Sequence, residues 1–185
     1  VETLGYKPLA RFENVPVFSF YEGIVRKPVY VWRDPHPLGP AYFATSVHPV
    51  PDAAASAAAV ARSSSVLEAH VLGLEPAARR SGLSGGQARR VVNGYNDYAY
   101  HLESRGENFL ILSQVWYPGW RATLDGRELK LYRVNHALLG CFIPDGPHFL
   151  ELTMTSPRLR QGLVLFGVGL AVLGLLWLRR LRVPR

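Results

Sequence analysis

"SQVWYPGWRATLDGRELKLY", residues 113–132, holds two tryptophans, two tyrosines and two turn signals within one short stretch. Asp125-Gly126 separates "RATL" from "RELKLY", the strongest short-range hairpin signal there is, because both central positions of a type I′ turn need positive φ. Pro118-Gly119 fits the centre of a type II turn, with proline presetting φ and glycine taking φ > 0. Two reversals so close together leave room only for short antiparallel strands. The same punctuation continues on both sides.

From residue 91 onward the pattern is β throughout: "RRVVNGYN", "DYAYHLES", "NFLILSQVWY", "WRATL", "ELKLYRV", "ALLGCFIP" and "HFLELTMT" follow one another with turns between them. "PDGPH" (144–148) marks a further tight reversal. In "HFLELTMT", Leu150, Leu152 and Met154 share one face while Glu151 and Thr153 share the other, so one side is buried. Strands at this spacing predict a mainly β fold, an antiparallel β-sandwich or jelly roll.

Upstream, "VPVFSFY" (15–21), "PVYVW" (28–32) and "YFATSVH" (42–48) are candidate strands. Between them "RDPHPLGPAY" (33–42) carries three prolines, which forbid helix. "DAAASAAAVARSS" (52–64) is the one short helix of this region, with Asp52 as its cap and alanine supplying propensity. "VLEAHVLGL" (66–74) resumes strand character. "EPAARRSGLSGGQARR" (75–90) reads as a surface loop, and its "SGLSGG" is no phosphate loop because no Gly-Lys-Ser/Thr follows.

The end of the chain is different. "QGLVLFGVGLAVLGLLWL" (161–178) is uncharged, and the 17 residues from Gly162 contain nothing strongly polar. At ~1.5 Å per residue they reach about 26 Å, the short end of a bilayer core. A soluble helix apolar on every face is unusual. Gly162, Gly167, Gly169 and Gly174 offer faces for close helix approach. Trp177 suits the aromatic belt, and Arg179, Arg180 and Arg182 can snorkel to headgroups as interface anchors. The sequence thus divides into a β-domain over 1–157 and a transmembrane helix with an Arg-rich end over 158–185.

Of the 21 Lys and Arg residues, six lie after Ser156 with no acidic residue among them, leaving 15 against 14 acidic residues before that point. The +7 net charge therefore belongs to the tail, and the near-neutral β-domain lacks the basic groove nucleic acid needs. Four arginines follow the span against two just before it, so the positive-inside rule places the C-terminus in the cytoplasm and the β-domain outside. A tail-anchored arrangement with a cytoplasmic domain is the competing topology. The N-terminus shows no signal peptide and begins with Val, which implies either a removed leader or preceding spans.

The stretch 111–157, "ILSQVWYPGWRATLDGRELKLYRVNHALLGCFIPDGPHFLELTMTSP", followed by a glycine-bearing terminal span, resembles the C-terminal end of the YfhO family of bacterial membrane proteins. That family closes with a YPGW-x-A-x-x-DG hairpin, a strand, a P-x-G-x-H turn, another strand and a last membrane helix. "DPHPLGPAYFATSVHPV" (34–50) is similar to a segment upstream of that end, except that Gly39-Pro40 stands where Pro-Arg is expected. The resemblance implies kinship with large multi-span, glycosyltransferase-like proteins acting on lipid-linked sugars for envelope polymers. The acidic catalytic residues of such proteins lie in early loops that have no counterpart here, so none is carried over.

The residues themselves point to no enzyme. The six histidines are scattered, with no metal-ligand spacing, and no G-x-S-x-G occurs. His148 and His136 read as hydrogen-bonding turn residues. The single cysteine, Cys141, excludes an intrachain disulfide and reads as a small buried hydrophobe. No cofactor is implied. Trp116, Tyr117 and Trp120 are either a platform for a glycan or rings that close one end of the sandwich, with Pro118, Gly119, Asp125 and Gly126 as structural turn residues.

The expectation is a non-catalytic, inner-membrane β-domain on the periplasmic side that docks into a larger complex (envelope, respiratory or photosynthetic) and touches the lipid bilayer and other subunits. The alternatives are the C-terminal piece of a YfhO-like glycosyltransferase and a carbohydrate-binding module.

Overall fold

A computed structural model of the chain describes residues 7–34 and 37–181 and, within the last helix, the side chains of 159 and 161–174. The chain divides into two units, Val1–Gly39 and Pro40–Arg185, where the sequence predicts one β-domain through 157.

The first unit is a hairpin of β1 (Lys7–Ser19) and β2 (Gly23–Arg33). At its tip the Ser19 hydroxyl accepts hydrogen bonds from the Tyr21 and Glu22 amides, and Gly23 takes φ +72° to re-enter the ladder. A bulge between Phe12 and Val15 is accommodated by Asn14 at φ 58°. Phe18, Phe20, Tyr21 and Ile24 are all exposed.

In the second unit, β3 (Ala41–Phe43), β4 (Ser46–Val50), α1 (Ala53–Arg62), β5 (Glu68–Leu72) and β6 (Arg80–Ser81) precede a run of strands. These are β7 (Gly86–Asn93), β8 (Asp97–Ser104), β9 (Asn108–Val115), β10 (Trp120–Leu124), β11 (Arg127–Leu129), β12 (Tyr132–Val134), β13 (Leu138–Ile143) and β14 (Gly146–Met154). The chain ends in α2 (Pro157–Leu181). Among the described residues the strands build a five-stranded sheet, β11-β10-β14-β8-β7, and a seven-stranded sheet, β3-β9-β13-β12-β5-β4-β6.

The sheets bury their facing sides together. Tyr100, Leu102, Ala122, Leu124, Leu150 and Leu152 of the smaller sheet meet Leu110, Leu112, Leu139, Cys141 and Ile143 of the larger. The alternation in β14 is as expected, with Leu150 and Leu152 buried and Glu151 and Thr153 exposed. The larger sheet is also covered on its outer face, where Phe109, Ile111, Val47, Val71 and Val134 form a second cluster. "FLIL" (109–112) is apolar at every position for this reason: this part of β9 is buried on both faces.

Two local expectations need correction. Not every strand pair is antiparallel: β4 and β5 run parallel, joined by α1, because that helix supplies the crossover a parallel pair requires. Asp52 caps α1 as expected, accepting from the Ala55 amide at 2.7 Å. The stretch 75–90 is not all loop, since β6 and the start of β7 lie within it. Gly86 is placed by close approach there: a β-carbon would sit 2.1 Å from the Glu103 carbonyl oxygen.

α2 is a 25-residue helix whose first turn is capped by Ser156, with the hydroxyl accepting from the Leu159 amide at 3.3 Å. Among the described residues no helix is long and apolar enough to cross a membrane. The side chains of residues 175–178 of the expected span, with Trp177, Arg179, Arg180 and Arg182, lie outside the described residues.

Candidate functional site

The sequence singles out the turn at 117–120, and the structure gives it a different construction from the one expected. The Trp120 amide donates to the Tyr117 carbonyl at 3.1 Å, so the reversal is a four-residue turn. Gly119 does not take positive φ, so the turn is not type II. What requires glycine is proximity. A β-carbon on Gly119 would lie 2.0 Å from the Thr155 carbonyl oxygen, and the Thr155 amide donates to the Gly119 carbonyl at 3.0 Å.

Trp116, Tyr117 and Trp120 do line one depression, of about 300 Å³, together with Arg121, Glu128 and Lys130. They are not a flat platform. Both indoles pack against the main core. Trp120 donates its Nε1–H to the Val115 carbonyl at 3.1 Å and lies 5.8 Å from the Tyr98 ring, while the Arg133 guanidinium sits 6.0 Å from Trp116. Tyr117 alone of the three is 47 % exposed.

Asp125 and Gly126 form the expected hairpin turn, with φ of 51° and 79° at its two central positions. Asp125 has a second task. Its Oδ2 lies 2.6 Å from His148 Nδ1, and its Oδ1 accepts from the Phe149 amide at 2.8 Å. The His148 hydrogen bond first, and the amide second, hold the Asp125 carboxyl below its ordinary pKa. His148 thus ties two turns together. It borders a shallow groove of about 530 Å³ on the outer face of the smaller sheet, with Arg89, His101, Glu103 and Phe149. Among the described residues no hydroxyl or thiol lines that groove.

A pair absent from the sequence reading appears in the larger sheet. The parallel register sets His48 beside His70, with ring centroids 5.4 Å apart. His48 Nδ1 lies 3.1 Å from an Arg79 guanidinium nitrogen, which can only donate, so Nδ1 accepts and Nε2–H donates to the Ser46 hydroxyl at 2.9 Å. In that tautomer His48 cannot take a proton from Ser46, so the two are not arranged as base and nucleophile.

His70 is 8 % exposed, and its Nε2 has no hydrogen-bond partner, the Glu68 carboxylate standing 3.7 Å away. Burial first, then the His48 charge, pushes the His70 pKa down, against a smaller upward pull from Glu68. Glu68 is itself engaged by the Ser63 hydroxyl at 2.7 Å, the largest cause of its lowered pKa. Two strands of "SVHPV" and "EAHVL" type flanking an alanine-rich helix are the signal that could have paired these histidines in the sequence.

Asn135 was also missed as a structural centre. At φ 48° it accepts from the His70 amide at 2.8 Å and donates to the Glu68 carbonyl at 3.0 Å, so its side chain continues the ladder from β12 to β5. His136, at φ 68°, places its amide 3.0 Å from the Ser56 hydroxyl of α1, the turn role expected of it. Cys141 is fully buried and its thiol is pushed up to about 12. Among the described residues no group of three metal-ligating side chains converges.

Fold and geometry together define a mainly β protein whose sheets, antiparallel except at the β4–β5 pair, fit a β-sandwich, with two α-helices among the described residues. Comparison of the chain with protein-family models, with curated proteins and with solved structures returns no match.

Proposed function

We propose that this chain is a non-catalytic β-sandwich domain anchored in the inner membrane by α2, held on the periplasmic side with its Arg-rich end in the cytoplasm, and acting as a structural or docking subunit of a larger membrane complex. One observation carries the reading. The large apolar side chains of α2 from Leu159 to Leu173 are all between 49 % and 72 % exposed, while the sandwich closes its own cores without them.

Leu163, Val164, Leu165 and Phe166 are consecutive, so steps of about 100° carry apolar groups around nearly the whole circumference. A helix greasy on all sides is stable in lipid or among other apolar helices, not in water. Its backbone runs on to Leu181, through the rest of the uncharged stretch. The inward packing of Trp116 and Trp120 weighs against a glycan platform, and the His148 groove and the His48–His70 pair each lack an activated nucleophile.

Washing membranes at alkaline pH tests the anchor: the chain stays in the pellet if α2 is embedded, and its release into the supernatant ends the proposal. Purification in mild detergent tests the docking role, with stoichiometric membrane partners expected and a lone monomer counting against it.

A second reading follows from the resemblance to the YfhO family, in which the same anchored sandwich is the C-terminal module of a glycosyltransferase-like membrane protein. Gly119 and Asp125-Gly126, which carry that resemblance, occupy the positions where the backbone is most demanding. The coding frame upstream of Val1 separates the two readings.

A further inference from the structure

Two turns of the sandwich are tied to the point where α2 begins. The Thr155 amide and hydroxyl both donate to the Gly119 carbonyl, at 3.0 and 3.3 Å. One residue earlier, the Met154 amide donates to the Asn96 carbonyl at 2.7 Å. Asn96 belongs to the tight turn between β7 and β8, closed by the Gly94 amide on the Asp97 carbonyl at 2.8 Å. The last two residues before Ser156 therefore hold the 94–97 turn on one side and the 117–120 turn on the other. Each turn presents a tyrosine: Tyr95 is fully exposed, at 101 %, and Tyr117 is 47 % exposed.

We propose that these two turns form the bilayer-facing end of the sandwich, with Tyr95 and Tyr117 seated in the lipid headgroup layer as interfacial anchors. The inference rests on α2 being the membrane anchor and adds what that reading leaves open, namely which surface of the domain meets the lipid. The distances decide it. Five residues of α2, 157–161, precede the apolar run, a rise of ~7.5 Å. The headgroup region is about 5–8 Å deep on each side of the hydrocarbon, so residues hydrogen-bonded to Met154 and Thr155 come within reach of it.

Tyrosine suits that layer because its ring is apolar and its hydroxyl can stay hydrated. Arg158 and Arg160 lie in the same stretch of sequence and match anionic headgroups in charge. The opposite end is out of range: β8, eight residues long, separates the 94–97 turn from Arg105 by about 25 Å of strand. The aromatics of 116–120 thus divide their work, the indoles packing inward on the core and Tyr117 reaching the lipid.

The test uses the full chain in vesicles of phosphatidylethanolamine and phosphatidylglycerol. Tyr95→Cys, Tyr117→Cys and Arg105→Cys are each labelled with a fluorophore; Cys141, buried with its thiol pushed up to about 12, stays unlabelled in the folded protein. A quencher attached to the lipid headgroup is expected to quench the labels at 95 and 117 several-fold more than the label at 105. Equal quenching at all three sites, with the protein still resistant to alkaline extraction, overturns the inference and leaves the anchor standing. Release by alkaline extraction removes the anchor and the inference with it.

Discussion

The carbonyl oxygen of Thr155 stands where a β-carbon on Gly119 would have to be, 2.0 Å from it. Backbone faces backbone at this contact, so no flexible side chain can move aside.

Gly119→Ala is therefore expected to destabilise the domain by roughly 2–4 kcal/mol, since β10 and the end of β14 must separate. Gly126→Ala is the comparison. Gly126 has open space around it but φ of 79°, so its cost is the left-handed penalty of about 1–2 kcal/mol. Urea unfolding of both variants checks the order, and a larger loss at 126 than at 119 would contradict the close-approach account.

Asp125→Asn keeps a residue tolerant of positive φ while removing the carboxylate that His148 and the Phe149 amide engage. A carboxyl with a depressed folded pKa contributes stability that is fully present above its unfolded pKa and disappears as pH falls through the folded value. The stability gap between wild type and Asp125→Asn is thus expected to hold steady above about pH 4 and to narrow below it. Thermal melts across that range read it directly; a gap that widens on acidification reverses the sign and refutes the argument.

His70 has the opposite logic for a base. Its folded pKa is pushed below the ordinary histidine value, chiefly by burial, so below about pH 6.5 the unfolded chain binds more protons at this site and native stability declines. His70→Gln removes that titration. The variant should show a flatter stability curve between about pH 7 and 5 than wild type, measured by denaturant midpoints, and an unchanged slope would place the pH response elsewhere.

Asn135 joins β12 to β5 with two side-chain hydrogen bonds from a left-handed backbone. Asn135→Ala loses the bonds and adds backbone strain, for about 2–4 kcal/mol together. Asn135→Gly loses the bonds without the strain and should fall between alanine and wild type. Equal stability of all three variants would mean the side chain carries no weight in the sheet.

The hairpin at Asp125-Gly126, the alternation in "HFLELTMT" and the Asp52 cap were legible because each is a local rule: positive φ, side-chain period, one orphan amide. Gly119 was assigned to the right turn for the wrong reason, since the approach of Thr155 is a contact between distant residues that no dipeptide preference encodes. The same limit hid the His48–His70 pair. Each histidine sits inside an ordinary apolar strand, and only the parallel register across α1 brings them together. The separate hairpin over 7–33 was likewise invisible, because its strands carry the same apolar and proline signals as the strands that follow.

The order of the seven-stranded sheet bears on how the chain can be made. β3 waits for residues 110–112 and β5 waits for Val134, so both early strands are synthesised long before their neighbours exist. Until β12 has emerged, β4 and β5 can pair only with each other across α1 and, through β4, with the two-residue β6, which leaves the far edge of β5 bare. A nascent chain stalled anywhere between residues 73 and 131 therefore presents a half-built ribbon with β5 at its open edge, and that interval is where a holding chaperone would be needed most.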